Sequence, residues 1–359
     1  MQTRKLTAAL ALTLGLSFSA GAGAQDLDKL PDYVPVLPQV KARALPVDPQ
    51  KRYLVKEVKP NVYVITDGVY QSAFVTTGKG VILFDAPPSF AEHIAKAVAD
   101  VTAEPIVQLV YSHVHLDHIS GAHIIVKQIP KLQIVAEEGT AEFLREMHDP
   151  RRPVPTRIFK DHRTLKLGSM TVELKVGHWH SPEGDLFIYL PGKKFLMAID
   201  TLAPGSVPFM GFDLTMNMHD YLKVFDQLQV YDFDVLVSGH LTYLAGREDV
   251  QVTKDYVMDV YKTIKRIHDG ADQMTLAAPA TQKYGWDNKF ADAWLTNAPR
   301  RSRAVGSTSW RAWTCTPPAI AAPRWFTRAG TIDRRSAHHR KKQWEVSQAH
   351  MSELARRFQ

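Results

Sequence analysis

The run Ile106 to Tyr111 leads, with no intervening turn signal, into Ser112-His113-Val114-His115-Leu116-Asp117-His118. The first part reads as a buried strand. Four metal-type donors follow it directly, so a polar cluster sits at the carboxyl end of a strand, where open α/β sheets place their ligand sites. His113 and His115 alternate at i and i+2, which lets two imidazoles converge if the backbone is extended, while Asp117 and His118 come from the turn that follows. That spacing can serve two adjacent cations. The single cysteine, Cys315, lies far downstream, so a metal here must be held by imidazole and carboxylate, a donor set that suits zinc with one position left for water.

Around this cluster the chain repeats a plan. Asn61 to Ile65 alternates as a strand, and Phe74 to Asp85 reads as a hairpin turning at Gly78-Lys79-Gly80 and ending in an aspartate. Ser89 with Glu92 has the spacing of a capping box, followed by Phe90, Ile94, Val98 and Val101 at helical intervals. Further on, Thr171 to Val176 is a strand, and Leu186 to Leu190, Pro191-Gly192 and Lys194 to Ile199 form a second hairpin that again ends in an aspartate, Asp200. Two strand-turn-strand-Asp units point to two similar halves. Val235 to Ser238 then leads into Gly239-His240, and a helix with Val250, Val257, Val260, Ile264 and Ile267 on one face ends at Gly270.

The series His113-x-His115-x-Asp117-His118, then His180, Asp200 and His240, each in a strand-end context, resembles the metallo-β-lactamase superfamily over about residues 53–270. That resemblance implies an α/β fold, an αββα four-layer sandwich, with two Zn2+ ions. It implies that His113, His115 and His180 form a first metal site, that Asp117, His118 and His240 form a second, and that Asp200 bridges them as in glyoxalase II and the lactonases. Cys or Ser is usual at that position in the classical β-lactamases. His180 is preferred to His178 as third ligand because His180-Ser181-Pro182-Glu183-Gly184-Asp185 is similar to the family's H-T-P-G-D stretch with one residue more; His178 is expected either behind the ligands, supporting them, or at the surface. His123 is expected to be a packed helix residue. Asp85 resembles the family's non-ligand aspartate that supports the metal loop, and Tyr243 is a candidate for facing a substrate oxyanion, packing being its alternative role.

The implied reaction is hydrolysis of an ester, lactone, thioester or amide, a β-lactam among them, by a water whose pKa falls to about 7 between two cations. Asp117 would orient that water and pass a proton to the leaving group. Pro204 to Phe212, apolar and rich in turn residues, is either one wall of a substrate pocket or ordinary loop packing. Two other readings keep the fold: an iron site with sulfur dioxygenase-like or flavin-linked redox chemistry, and a non-catalytic periplasmic metal-binding protein.

The formal charge of +7 would ordinarily point to nucleic acid or an anionic surface, but it is unevenly placed. From Arg300 onward there are 13 Lys or Arg against 3 Asp or Glu, and residues 25–299 are mildly acidic. No nucleic-acid partner is therefore expected; the partner is a small-molecule substrate. Arg4 and Lys5, the apolar run Leu6 to Ala20 and Ala22-Gly23-Ala24 read as a secretory signal cleaved before Gln25. That run is interrupted and shorter than the roughly 20 residues of a membrane span, so a periplasmic or secreted protein without stable membrane insertion is expected. Residues 25–52 read as an extended, Pro-rich arm, 53–298 as the catalytic domain, and 299–359 as a basic, disordered tail that is either natural or the product of a shifted reading frame.

Overall fold

The computed structural model describes residues 42–43, 45–208, 210–241 and 244–270. The expected signal segment, most of the arm, the tail with Cys315, and Tyr243 lie outside the described residues. Seven strands form one sheet in chain order: β1 (Leu54–Lys59), β2 (Val62–Thr66), β3 (Gln71–Thr76), β4 (Val81–Phe84), β5 (Ile106–Val110), β6 (Gln133–Glu137) and β7 (Arg157–Phe159). The first four are antiparallel, and β4 through β7 run parallel. A second sheet has the order β12-β11-β10-β9-β8, from β8 (His162–Leu167), β9 (Met170–Gly177), β10 (Asp185–Leu190), β11 (Phe195–Met197) and β12 (Val235–Val237). Only its β11–β12 pairing is parallel.

Burial patterns follow from how these sheets are covered. β3 and β4 are buried at every position, because one face meets the other sheet and the other meets helices. β9 alternates buried and exposed residues over Met170–Lys175, with one face turned to solvent. Val64, Ala73, Val75, Ile82 and Phe84 of the first sheet pack on Val172, Leu174, Ile188 and Met197 of the second. On the outer face of the first sheet, Phe74, Leu83 and Leu109 meet α1 (Ala91–Ala99), α3 (Ala122–Gln128) and α4 (Glu138–Met147). On that of the second, Phe187, Leu196 and Leu236 meet α5 (Met218–Val230) and α6 (Arg247–Asp269). The layers are thus helix, sheet, sheet, helix. Among the described residues no helix is long and apolar enough to cross a membrane.

One local expectation fails. The Ser89–Glu92 capping box does not form: α1 starts at Ala91 after Phe90, and the Ser89 hydroxyl is buried without a hydrogen-bond partner. A side-chain cap is worth about 1 kcal/mol, whereas burying a phenylalanine is worth roughly 1.5–3 kcal/mol. Phe90 is 1% exposed in the first core, so its packing decides where the helix begins.

The two halves meet at equivalent points. Asp85 follows β4 with φ 62°, and its N–H donates to Val110 O at 2.9 Å; Asp200 follows β11 with φ 56°, and its N–H donates to Ser238 O at 3.0 Å. Each aspartate is therefore tied to the end of the adjacent parallel strand, β5 or β12, and each of those strands releases histidines.

Candidate metal centre

The loop after β5 is fixed from both sheets. Ser112 N–H donates to Asp85 Oδ1 at 2.7 Å, and Ser112 O accepts from Leu186 N–H of β10 at 2.9 Å. His113 therefore emerges where the sheets converge, with Nδ1 2.9 Å from Ser112 Oγ and Nε2 turned inward. His115 keeps extended backbone, φ −67° and ψ 144°, as the residue before a short helix α2 (Leu116–Ile119) that carries Asp117 and His118. Asp185, buried at the start of β10, accepts from His180 N–H at 2.8 Å and from Ser181 N–H at 3.1 Å, which closes the longer His180–Asp185 loop. His240 follows Gly239, whose φ is 99° and whose N-terminal neighbours end β12. A Cβ at Gly239 would stand 2.8 Å from Ile199 Cγ2 and 3.0 Å from His118 Cε1, so only glycine lets the chain turn this close to the site.

All seven donors come together. His113, His115, His180 and Asp200 form one group and Asp117, His118 and His240 another, with the donor atoms of each group within 4.8 Å of one another. Asp200 stands between them. Its Oδ2 lies 3.3 Å from His113 Nε2, 3.8 Å from His115 Nδ1 and 3.2 Å from His180 Nε2; its Oδ1 lies 3.3 Å from His118 Nε2 and 3.0 Å from His240 Nε2. Asp117 Oδ2 is 3.6 Å from His118 Nε2 and 3.7 Å from His240 Nε2.

These contacts fit a cation better than they fit hydrogen bonding. Asp200 Oδ1, His113 Nε2 and Asp117 Oδ1 are buried and have no hydrogen-bond partner among the described residues, although imidazole nitrogens crowd within 3–4 Å of the Asp200 carboxylate. His180 Nε2 and His115 Nδ1 are 2.9 Å apart, and His118 Nε2 and His240 Nε2 are 3.2 Å apart. Buried polar groups left unpaired cost about 1–3 kcal/mol each, and converging nitrogens and carboxylates of this kind are what a first-row divalent ion uses. The arrangement is a metal-binding site of nitrogen and oxygen donors.

The electrostatics differ across it. Burial holds His115 well below the usual imidazole range, reinforced by His180 and His113, and burial lowers His180 to about 4. Burial also opposes protonation of His118 and His240, but there Asp200 and Asp117 prevail, raising His118 to about 9 and His240 in the same direction. Burial alone would raise Asp200; His118, His240 and His180 hold it well below the carboxylate range.

Other expected residues fall outside the cluster. Asp85 is buried, its carboxyl is raised by burial, and through Oδ1 it supports Ser112, the residue before His113. His178 is exposed. His123 is also exposed, contrary to the packed position expected; its Nδ1 lies 2.8 Å from Ser120 O because a free polar ring on a short helix satisfies itself on the preceding turn. The segment after Asp200 ends beside the donors, with Thr215 Oγ1 donating to Trp179 O and Met216 N–H donating to His180 O at 3.2 Å.

Sequence reasoning missed Tyr70. It begins the strand-pair bridge to His240, and its ring lies 5.1 Å from the His240 ring and 5.9 Å from that of His118. Nothing in Asp67-Gly68-Val69-Tyr70 marks it out. Trp179 was also missed: its Nε1–H donates to Ile199 O at 2.8 Å, linking the residue before His180 to the residue before Asp200.

Comparison with known proteins agrees with this geometry. Residues 65–240 match the family described as the Metallo-beta-lactamase superfamily. The chain is 28% identical over 198 residues to 2,4-dinitroanisole O-demethylase subunit alpha of Nocardioides sp. (strain JS1661), covering 53% of this chain and 58% of that protein. It thus spans less than two thirds of that relative's length. Among solved structures, the stereoselective inverting sec-alkylsulfatase Pisa1 from Pseudomonas sp. superposes with a TM-score of 0.51 at 16% identity, over 82% of this chain and 58% of that one. A metallo-beta-lactamase from Pontibacter korlensis gives 0.48 at 18% identity, over 57% and 99%. At 16% identity the likeness to Pisa1 is one of fold. Residues 65–240, which include all seven donors, thus carry a metallo-beta-lactamase domain.

Proposed function

We propose that this chain is an exported, zinc-dependent hydrolase with two metals per chain, His113, His115 and His180 holding one, Asp117, His118 and His240 the other, and Asp200 bridging both. The observation that carries the proposal is the carboxylate of Asp200, whose two oxygens each face a different histidine set. Zinc accepts such a set of nitrogen and oxygen donors. Bound there, the ions supply Lewis acidity and a water of pKa about 7.

The chain's own groups do the rest. Asp117, 7% exposed and with Oδ1 unpartnered among the described residues, takes up the proton of the attacking water and returns it to the leaving group. Asp200 holds the two histidine sets at a fixed spacing. Val69 and Met216, 41% and 39% exposed, adjoin the site through the hydrogen bonds Leu241 N–H to Val69 O and Met216 N–H to His180 O, and form an apolar rim for an uncharged part of the substrate.

The bonds in question are those of an ester, lactone, thioester or amide, and the demethylase relative adds an electron-poor aryl methyl ether as a substrate to try. Metal analysis of the purified protein, with hydrolysis assays on nitrocefin, an acyl-homoserine lactone, S-lactoylglutathione, an aryl ester and 2,4-dinitroanisole, tests this. Turnover of at least one substrate, abolished by chelator and restored by zinc, is expected; two-metal protein inert on all of them would leave the binding-protein reading in its place, and hydrolysis restored by iron alone would overturn the choice of zinc. Export is tested by N-terminal sequencing of the secreted or periplasmic protein, where a start at Gln25 is expected and an intact Met1 overturns it.

A further inference from the structure

The loop between α4 and β7 buries a full positive charge beneath the metal motif. Arg152 is 2% exposed. Its Nε donates to Asp149 Oδ2 at 3.0 Å, its Nη1 donates to Val114 O at 2.6 Å, and its Cζ stands 5.7 Å from the centre of the Phe143 ring. Val114 is the residue between His113 and His115. Two further bonds tie the same loop to residues that flank the motif: Tyr111 OH donates to Pro153 O at 3.0 Å, and His123 N–H donates to Arg151 O at 3.3 Å.

A guanidinium is a costly choice at this place. It does not lose its proton, its burial carries a desolvation penalty, and a fixed cation next to a metal centre repels the ions that centre binds. Coulomb's law alone would keep it away. What it supplies is geometry: a planar fork, anchored at Asp149, that fixes one peptide carbonyl. The Val114 carbonyl lies in the Val114–His115 peptide plane, so fixing it fixes directly the direction in which His115 leaves the backbone, and that of His113 through the one residue between them. Asp149 is correspondingly held below the carboxylate range: burial opposes this, and Arg151 and Arg152 overcome it.

We propose that Arg152 is a positioning residue for the first metal site, acting through Val114 O to hold His113 and His115 convergent, and so setting the affinity and coordination geometry of the His113/His115/His180 set. This rests on the metal reading above. The two ideas make separable predictions, because charge and geometry act with opposite signs: removing a buried cation by itself should tighten metal binding, whereas removing a positioning group should weaken it.

The test measures Zn2+ affinity by competition with a chromophoric chelator, and the visible spectrum of the Co2+-loaded protein, in the full chain and in a His240→Ala background where only the first set is complete. Circular dichroism reports folding. Arg152→Met should lower first-site affinity about tenfold or more, the scale seen when groups that orient metal ligands are removed, and should shift the Co2+ bands. Arg152→Lys, which keeps the charge but not the fork, should recover only part of the affinity. Affinity within twofold of the parent with an unchanged spectrum in folded Arg152→Met, or tighter binding, overturns the proposal. If neither Arg152 variant folds, Asp149→Asn decides: it leaves the guanidinium in place with a weaker anchor, and a shifted spectrum supports the positioning role while an unchanged one overturns it. Parent protein that takes up neither zinc nor cobalt sinks the metal reading and this proposal together, whereas normal uptake with indifferent variants sinks this one only.

Discussion

The two histidine sets share one carboxylate and differ in almost everything else. His113, His115 and His180 are 1–2% exposed and sit where β5 and β10 converge. In the other set His118 is fully buried, but the His240 side chain is 31% exposed, and it hangs between Gly239 and Leu241, both with positive φ. Burial keeps His115 and His180 neutral, the form that ligates; the anionic neighbours of His118 and His240 favour their protonated forms in the metal-free protein. One set is therefore a closed receptacle defined by packing, the other an open one defined by charge and by two unusual backbone positions. On the proposed function, exchange of metal and approach of substrate are expected from the open side.

Removing what the sets share should have the largest effect. Asp200→Ala is expected to lower hydrolysis by roughly two to three orders of magnitude, the scale of losing a directed electrostatic partner, while circular dichroism stays near parental. Parental rates with both metals bound would show that the carboxylate does not bridge.

Next comes the contrast itself. His240→Ala should leave close to one metal per chain, and chelator titration of the parent should remove metal in two phases, the faster from the open set. His113→Ala should instead lose metal from the closed set and destabilise the fold as well, because a cavity opens between the sheets. A single phase of release, or unchanged two-metal content in His240→Ala, would erase the distinction.

A gentler probe is Gly239→Ala. The added Cβ meets Ile199 and His118 and must be carried at φ 99°, so a loss of about 1–3 kcal/mol in stability is expected, with weaker binding in the open set and little change in the closed one. Equal weakening of both would mean that the strain spreads through Asp200.

The smallest effects are those of pH on the metal-free protein, where the sets should pull in opposite directions. His118, raised to about 9, contributes stability that is complete below the unfolded value near 6.5 and is lost as pH rises through 9. His180, lowered to about 4, does the reverse: the unfolded chain binds its proton first, so stability falls as pH drops from about 6.5 to 4. Thermal midpoints of chelated protein should therefore decline on both sides of neutrality, and His118→Asn should shrink the alkaline arm, with His240 supplying what remains. A flat alkaline limb in the parent would contradict the charge argument.

Much of this was legible from local pattern. Alternation in Val62–Ile65, the hairpin at Gly78–Gly80 and the helical spacing from Val250 to Ile264 each express a period that burial of one face imposes, and all three elements form. The donors were legible because ligation demands particular residue types, and four of them crowd into six positions after a strand. What local pattern did not reveal was anything settled by a distant surface. Ser89 lost its capping role because Phe90 had a core to enter. Tyr70 adjoins His118 and His240 only because β3 passes beside the end of β12. Arg152 looks, in Asp149-Pro150-Arg151-Arg152-Pro153, like one more solvated charge, yet it is buried against Val114. The sequence by itself determined which groups could bind a cation and on which strand ends they would stand. Their convergence on one carboxylate, and the support that keeps it, were decided by tertiary structure, because contacts between residues tens of positions apart depend on how the two sheets pack, and no periodicity along the chain encodes that.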